Sequence, residues 1–378
     1  MKTRHVALAL FSVMLAACLI LARAGEPAGE SGKKSSGEKA GGAEKDNKGG
    51  DSSKVQRGTG SHAQLKVTAK QARAITRACD AMAKLQGKDG SFSGSGGQHR
   101  AAMTSLAGLA LLSAGHVPGR GKHAKAVERA AKFLLKLQDR EGCYADAGGR
   151  SMHGHGYALH FMAEVYGMTS DPKLAKKLRR SVQQGVRLTA RCQSPEGGWI
   201  YQPVARGHEG SITITQVQAI WAARQAGINV PQKTIDKGID YMKKSQQPDG
   251  GISYRLGMNG SRPALSVAGV MVFCGLGRRE TREAAKAINY MRKMMKGNVR
   301  SYRGLTSFDH YTTLYLGQGL YQAGDPDWSK HYPKLRDELI KRQGHDGTWT
   351  SNYGPIFGTS CYTLVLTIPY QYLPTFQR

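Results

Sequence analysis

Two kinds of apolar pattern alternate along residues 65–378. One is amphipathic at the helical period, with charge opposite the apolar stripe, as in HAKAVERAAKFLLKLQ (123–138) and TREAAKAINYMRKMMK (281–296). The other is smooth, built of small and apolar residues, as in TSLAGLALLSAG, RPALSVAGVMVFCGLG and TSCYTLVLTIPYQYL. No stretch alternates at the period of a strand. Asp171-Pro172 and Val230-Pro231 mark helix starts, where the missing amide of proline costs nothing. The pattern predicts an all-α body in which charged helices face water and smooth helices lie behind them.

The helices are punctuated at a fixed period. QGKDGSF begins at Gln86, QDREGCY at Gln138, QSPEGGW at Gln193, QQPDGGI at Gln246 and QGHDGTW at Gln343. Successive spacings are 52, 55 and 53 residues, then 97, close to two further periods. A decayed sixth copy falls near KGNVRSYRGL, residues 296–305. Six loops imply six helix pairs. An open array needs a polar cap at each end, yet the last unit finishes in YTLVLTIPYQYLP, so closure into a ring is the consistent solution. Residues 65–378 therefore read as one α6/α6 toroid. In each loop, glycine supplies a turn closed to other residues, and Gln and the residue six positions on tie neighbouring helices together.

The Q-x-x-x-G-x-W loops resemble the repeats of the squalene cyclase and protein prenyltransferase superfamily; Gln193/Gly197/Trp199 and Gln343/Gly347/Trp349 match the motif in full. HGHGYALHFMAEVYGMT, SITITQVQAIWAARQAGI and IPYQYLPTFQR resemble more closely an exported bacterial group of prenyltransferase and squalene-oxidase repeat proteins without an established activity. The resemblance implies the barrel and leaves the chemistry to be found. Squalene–hopene type cyclases use D-x-D-D, which is absent; Asp325-Pro326-Asp327-Trp328 lacks the last acid. The magnesium motif D-D-x-x-D, the zinc motif D-x-C of protein prenyltransferases, the Cys-His pair of lanthionine cyclases and the C-G-E-Q of thioester proteins are absent too.

Composition changes the picture at the amino terminus. Lys2 and Arg4 precede VALALFSVMLAACLILA, which reads as a signal peptide over residues 1–24. Cleavage at Ala22-Arg23-Ala24 leaves Gly25 first, whereas Leu15-Ala16-Ala17-Cys18 offers a lipobox in which Cys18 would be lipidated. Residues 25–64 are Gly, Ser, Lys and Glu with little to bury, and read as a disordered linker. The protein is thus expected to be exported, periplasmic or tethered through Cys18. No later run approaches the ~20 apolar residues of a membrane span. Of the net charge of +28, the signal carries three basic residues and the linker one net positive, leaving +24 on the body. Such charge attracts anionic surfaces, although a solvated helical exterior is the simpler reading. Nucleic acid is not expected, since no binding motif occurs. Cys79, Cys143, Cys192, Cys274 and Cys361 lack disulfide or zinc spacing and read as buried thiols.

Candidate chemistry lies on the smooth helices. His153, Tyr157, His160 and Glu164 share one helical face, as do Ser211, Thr215, Gln218 and Gln225. Tyr311, Tyr315, Gln318 and Gln322 make a third stripe, and Ser360, Thr363, Thr367 and Tyr370 a fourth. Facing a lumen, these stripes would suit a polar or amphipathic ligand better than a naked hydrocarbon, and the resemblance implies an isoprenoid-derived one; otherwise they bond one another or water. A zinc site from His153, His155 and His310 with Asp309 or Cys361 is a weaker reading, and no cofactor is required by any motif. Glu164 with Asp146, Glu209 or Asp309 would serve acid/base hydrolysis if about 5–10 Å apart. Weak catalytic candidates are then Glu164, His153 and Asp309. The leading expectation is a lumen-binding protein without established catalysis. The alternatives are a divergent terpenoid cyclase, a prenyltransferase-like enzyme or envelope hydrolase, and a non-enzymatic envelope scaffold. Intact mass of the exported protein should place Gly25 first; a diacylated Cys18 terminus would instead establish the lipoprotein route.

Overall fold

The computed structural model describes residues 65–146, 148–298, 309–374 and Gln377, all within one compact unit, Gly60–Arg378. The signal peptide and linker expected over 1–64 lie outside the described residues, as does most of the decayed sixth loop. The described residues hold twelve α-helices in outer–inner pairs. The outer ones are α1 (Ala69–Leu85), α3 (Ala124–Leu137), α5 (Pro172–Arg191), α7 (Gln232–Lys244), α9 (Arg282–Asn298) and α11 (Asp327–Lys341). The inner ones are α2 (Arg100–Ser113), α4 (Met152–Met168), α6 (Gly210–Gln225), α8 (Pro263–Phe273), α10 (Asp309–Ala323) and α12 (Pro355–Thr367). The described residues hold no named strand, only isolated bridges.

The two sequence patterns sort as predicted. In α5, Leu174, Leu178, Val182 and Val186 are buried while the lysines and arginines stay outside. Its start is fixed by Asp171, whose Oδ1 accepts from the Lys173 amide at 2.8 Å, with Pro172 at the first helical position. Pro231 sits one residue earlier than expected, as the cap of α7. Inner helices are buried almost all round, because each packs on its outer partner and on two inner neighbours. Along the inner layer α2, α4, α6, α8, α10 and α12 each pack on the next, and α12 packs back on α2. The ring is closed.

One joint recurs around it. The side-chain amide of Gln86 donates to the Gly90 carbonyl of its own loop and to the Ala126 carbonyl of the next outer helix, both at 2.9 Å. Gln138 reaches Ser181, Gln193 reaches Thr234 and Gln246 reaches Glu283 in the same way. Gln343 closes the circle, donating to Ala74 of α1 at 2.9 Å. Beside each Gln the loop glycine is left-handed and pressed on the same helix. A Cβ on Gly197, at φ +95°, would stand 2.2 Å from the Lys237 carbonyl; on Gly347, at φ +86°, 2.6 Å from that of Arg77. Gln71 adds a second closure contact, donating to the Leu366 carbonyl and the Tyr332 hydroxyl.

The residue six after each Gln ties outer to inner helix. The amides of Phe92, Trp199, Ile252 and Trp349 donate to Thr104, Thr213, Ser266 and Thr359 near the starts of inner helices. Trp199 Nε1 also donates to Thr189 of its own outer helix at 2.8 Å, and its ring faces Gly238 of the next. Gly197→Ala should lower stability in urea titration by about 3 kcal/mol, combining left-handed strain with a backbone clash. Gly119→Ala, at φ +81° with open space around it, should cost only about 1 kcal/mol.

Candidate functional site

All six inner helices point their amino termini to one mouth. There the loops lay aromatic rings around the opening. Tyr201 and Tyr254, each eight residues after its loop Gln, share a hydroxyl–hydroxyl contact of 3.1 Å. Their carbonyls accept the amides of Met152 and Gly210, which hold the loops over the starts of α4 and α6. His99, left-handed at the start of α2, meets Tyr353, and Tyr353 meets Phe357. None of these was singled out from sequence. The position eight after Gln, which also holds Asp146, was the signal available.

Below the mouth, six of the expected lumen residues come together. His153 stacks on Tyr157 at 5.6 Å, one turn deeper on α4. Tyr157 hydrogen-bonds Tyr315 of α10, which stands opposite α4 in the ring. The Tyr315 hydroxyl donates to Gln218 Oε1 at 2.9 Å, and Gln218 Nε2 donates to Gln318 at 3.1 Å. The ring of Tyr311 lies 4.8 Å from that of Tyr315, on the mouth side. The lumen is therefore bridged at mid-height. Burial, reinforced by mutual proximity, pushes the phenols of Tyr157 and Tyr311 well above their ordinary range, so both remain neutral donors. Above the bridge His153 Nε2 is buried without a hydrogen-bond partner, whereas the Tyr311 hydroxyl has that of Tyr315 as its neighbour.

Other candidates lie elsewhere. Thr215 turns its hydroxyl back to the Ser211 carbonyl at 2.6 Å. The Thr363 hydroxyl is buried and unpartnered on α12. Ser360 faces the outer layer, 3.7 Å from Met82 of α1, and Thr367 meets Ser113 of α2. Gln225 is exposed, so the stripe from Ser211 ends before Gln225. Tyr370 stacks on Tyr372 past the end of α12. His160 and Glu164 pair with each other at 3.5 Å in the deeper half of α4.

The zinc reading finds its three imidazoles occupied separately. His155 takes the place that Thr or Ser fills in the other units: Nδ1 accepts the Tyr144 amide at 3.4 Å, and Nε2 meets Thr189 at 3.0 Å. Thr189 continues to Gln216, which reaches the Met152 carbonyl, so His155 belongs to a structural network joining α4, α5 and α6. His310 stacks on Tyr362 of α12 at 4.5 Å. Among the described residues, no three His, Cys, Asp or Glu side chains gather as metal ligands. The five cysteines of the body are buried and form no disulfide among the described residues.

The hydrolase reading meets a distance. Asp146 accepts the Ala101 amide at the start of α2, and Glu209 caps α6 through the Ser211 and Ile212 amides. Both lie at mouth level. Glu164 lies twelve residues down α4, about 18 Å at roughly 1.5 Å per residue, well beyond acid/base spacing. Asp309 opens α10 at the mouth, and its side chain lies outside the described residues.

Residues 59–236 match the Prenyltransferase alpha-alpha toroid domain. Over 158 residues the chain is 25% identical to the drimenyl diphosphate synthase of Streptantibioticus cattleyicolor, covering 41% of this chain and 29% of that protein. Over 272 residues it is 23% identical to a probable squalene–hopene cyclase of Sinorhizobium fredii, covering 63% of this chain and 40% of that protein. The matches thus span well under half the length of these curated relatives. The type II terpene cyclase MstE from Scytonema, solved with its substrate geranylgeranyl dihydroxybenzoate, superposes with a TM-score of 0.56 at 14% identity, over 80% of this chain and 98% of that one. A D-mannose isomerase superposes with a TM-score of 0.59 at 12% identity, over 82% and 99%. At these identities the likeness is one of fold.

Burial pulls the pKa of both His155 and His153 down to about 4, the latter helped by His99. Neutral in the fold and protonated readily once unfolded, they contribute stability fully above about pH 6.5, and that stability falls as pH drops towards about 4. The unfolding free energy should decline across this window by about 1.4 kcal/mol per pH unit for each histidine, and His155→Gln should remove one histidine's share of the slope. His155→Ala should cost about 2 kcal/mol at neutral pH, by leaving the Tyr144 amide and Thr189 unpaired, with bound zinc unchanged. By its repeats and its closed ring of helix pairs the chain has an alpha-alpha toroid fold, residues 59–236 match the prenyltransferase toroid domain, and these matches support the squalene cyclase and protein prenyltransferase superfamily.

Proposed function

We propose that the toroid binds a polar or amphipathic, isoprenoid-derived molecule, entering by the mouth and held above the Tyr157–Tyr315 bridge. The observation that carries this reading is His153 Nε2, buried without a hydrogen-bond partner on the wall of that chamber facing Tyr311. An unsatisfied buried polar group costs about 1–3 kcal/mol, and a ligand oxygen or ordered water relieves it. Tyr157, Tyr311, Tyr201 and Tyr254 add ring faces and neutral donors, which suit a hydrocarbon chain bearing a polar end. The isoprenoid class is supported by the relatives, whose names are those of terpene cyclases. Export to the periplasm, or a tether through Cys18, belongs to the same proposal on the strength of the amino-terminal sequence.

A second reading, a divergent cyclase, is favoured by the same relatives. Its acid would be Glu164, whose buried carboxylate lies 3.5 Å from His160, since D-x-D-D is absent. Native mass spectrometry separates the two. Incubated with farnesyl diphosphate, the protein should retain one unchanged molecule, and it should retain no squalene. Tyr311→Phe should weaken retention about tenfold, the loss of one buried hydrogen bond. Conversion to a cyclised product that disappears in Glu164→Gln would establish the cyclase. No retention of either compound would leave the scaffold.

A further inference from the structure

The outer helices share their charge unevenly. The joints place α3 beside α1 and α5 beside α3, through Gln86 to Ala126 and Gln138 to Ser181. Across α3 and α5 there are eleven lysines and arginines against a single acid, Glu128. Opposite them in the ring, α9 and α11 hold nine basic residues against four acids, and the flanking α1 and α7 hold eight against three.

The basic residues of α5 are arranged as well as numerous. Lys173, Lys176, Lys177, Arg180, Arg187 and Arg191 are exposed and fall at helical spacings on one face, broken only by Gln184. The row is about 27 Å long at roughly 1.5 Å per residue. On α3, the exposed residues at 125, 129, 132 and 136 form a second row at i, i+4, i+7 and i+11. Two packed helices set such rows roughly 8–10 Å apart. Among the described residues, none of these ten side chains makes an ion pair. Some basic side chains elsewhere are neutralised locally, as Arg278 is by Asp236, Arg292 by Asp327 and Arg342 by Glu338.

We propose that the α3–α5 face docks on an anionic phospholipid surface, held by charge alone. Two adjacent rows make a patch rather than a single track, which matches a sheet of headgroups better than one polyanion strand. No exposed aromatic lies on either helix to stack on a base or sugar ring; Phe133 is buried. Large exposed apolar side chains are confined among the described residues to Leu85 and Tyr372, neither of them on this face, so insertion is not part of the contact. Binding of this kind is reversed by salt. This inference is independent of the lumen reading.

Sedimentation of the full chain with vesicles tests it. Vesicles of phosphatidylcholine with about one-third phosphatidylglycerol should bind the protein, and pure phosphatidylcholine should not. The triple variant Lys176→Glu, Lys177→Glu, Arg180→Glu should lose at least about tenfold in partitioning, and about 0.5 M salt should do the same to the parent protein. A control of equal charge change on α11, Lys330→Glu, Lys334→Glu, Lys341→Glu, should change it less than about threefold. Circular dichroism checks that both variants fold. Equal losses in the two triples would overturn the α3–α5 assignment and leave net charge as the cause. Absent vesicle binding, with or without α5-dependent retention on heparin, would overturn the lipid surface.

Discussion

The structure depends on one joint: a glutamine amide shared between its own loop and the next outer helix, beside a glycine that lets two backbones touch. The glutamine supplies direction, because its two acceptors lie in different repeats. The glycine supplies distance, because any side chain there would meet the neighbouring carbonyl. Each joint fixes how one pair leans on the next, so five similar joints fix the curvature of the array. That curvature brings Gln343 to Ala74, where the last joint takes the first helix as its successor.

Much of this was legible in the sequence, for a physical reason. The joint needs particular atoms at particular positions, so Gln, Gly and an aromatic recur at a measurable period, and the outer helices show their solvent face as charge. The inner helices were harder. Buried almost all round, they have no polar face to declare their orientation, and helical spacing alone cannot distinguish lumen from flank. Tyr157, Tyr311, Tyr315, Gln218 and Gln318 meet one another from three inner helices. Ser360 and Gln225 do not join them, since one stripe on α12 turns towards α1 and the end of α6 reaches solvent.

His155 shows a different kind of misreading. As a histidine at a helix start beside His153, it looks like a ligand. Aligned by the loop amide it accepts, it occupies the position of Thr104, Thr213, Ser266 and Thr359. All five positions answer the same need, an acceptor for the amide six residues after Gln. The repeat register thus identifies a structural role that residue type obscures. It also marks Tyr201 and Tyr254 as mouth residues, since both follow their glutamine by eight.

Closure of the ring bears on how the chain reaches its fold. Neighbouring repeats meet across about one period, but α1 meets the last unit across a separation of 269 residues. Every folding route must span that interval, and the entropy of doing so rises slowly with length while the wait for the encounter grows. Until it happens, the array has two open ends, with the apolar flank of α1 at one and that of α11 and α12 at the other. Those flanks are complementary, so they fit the opposite end of a second copy as well as their own. At high concentration, exchange of ends between chains therefore competes with closure within one.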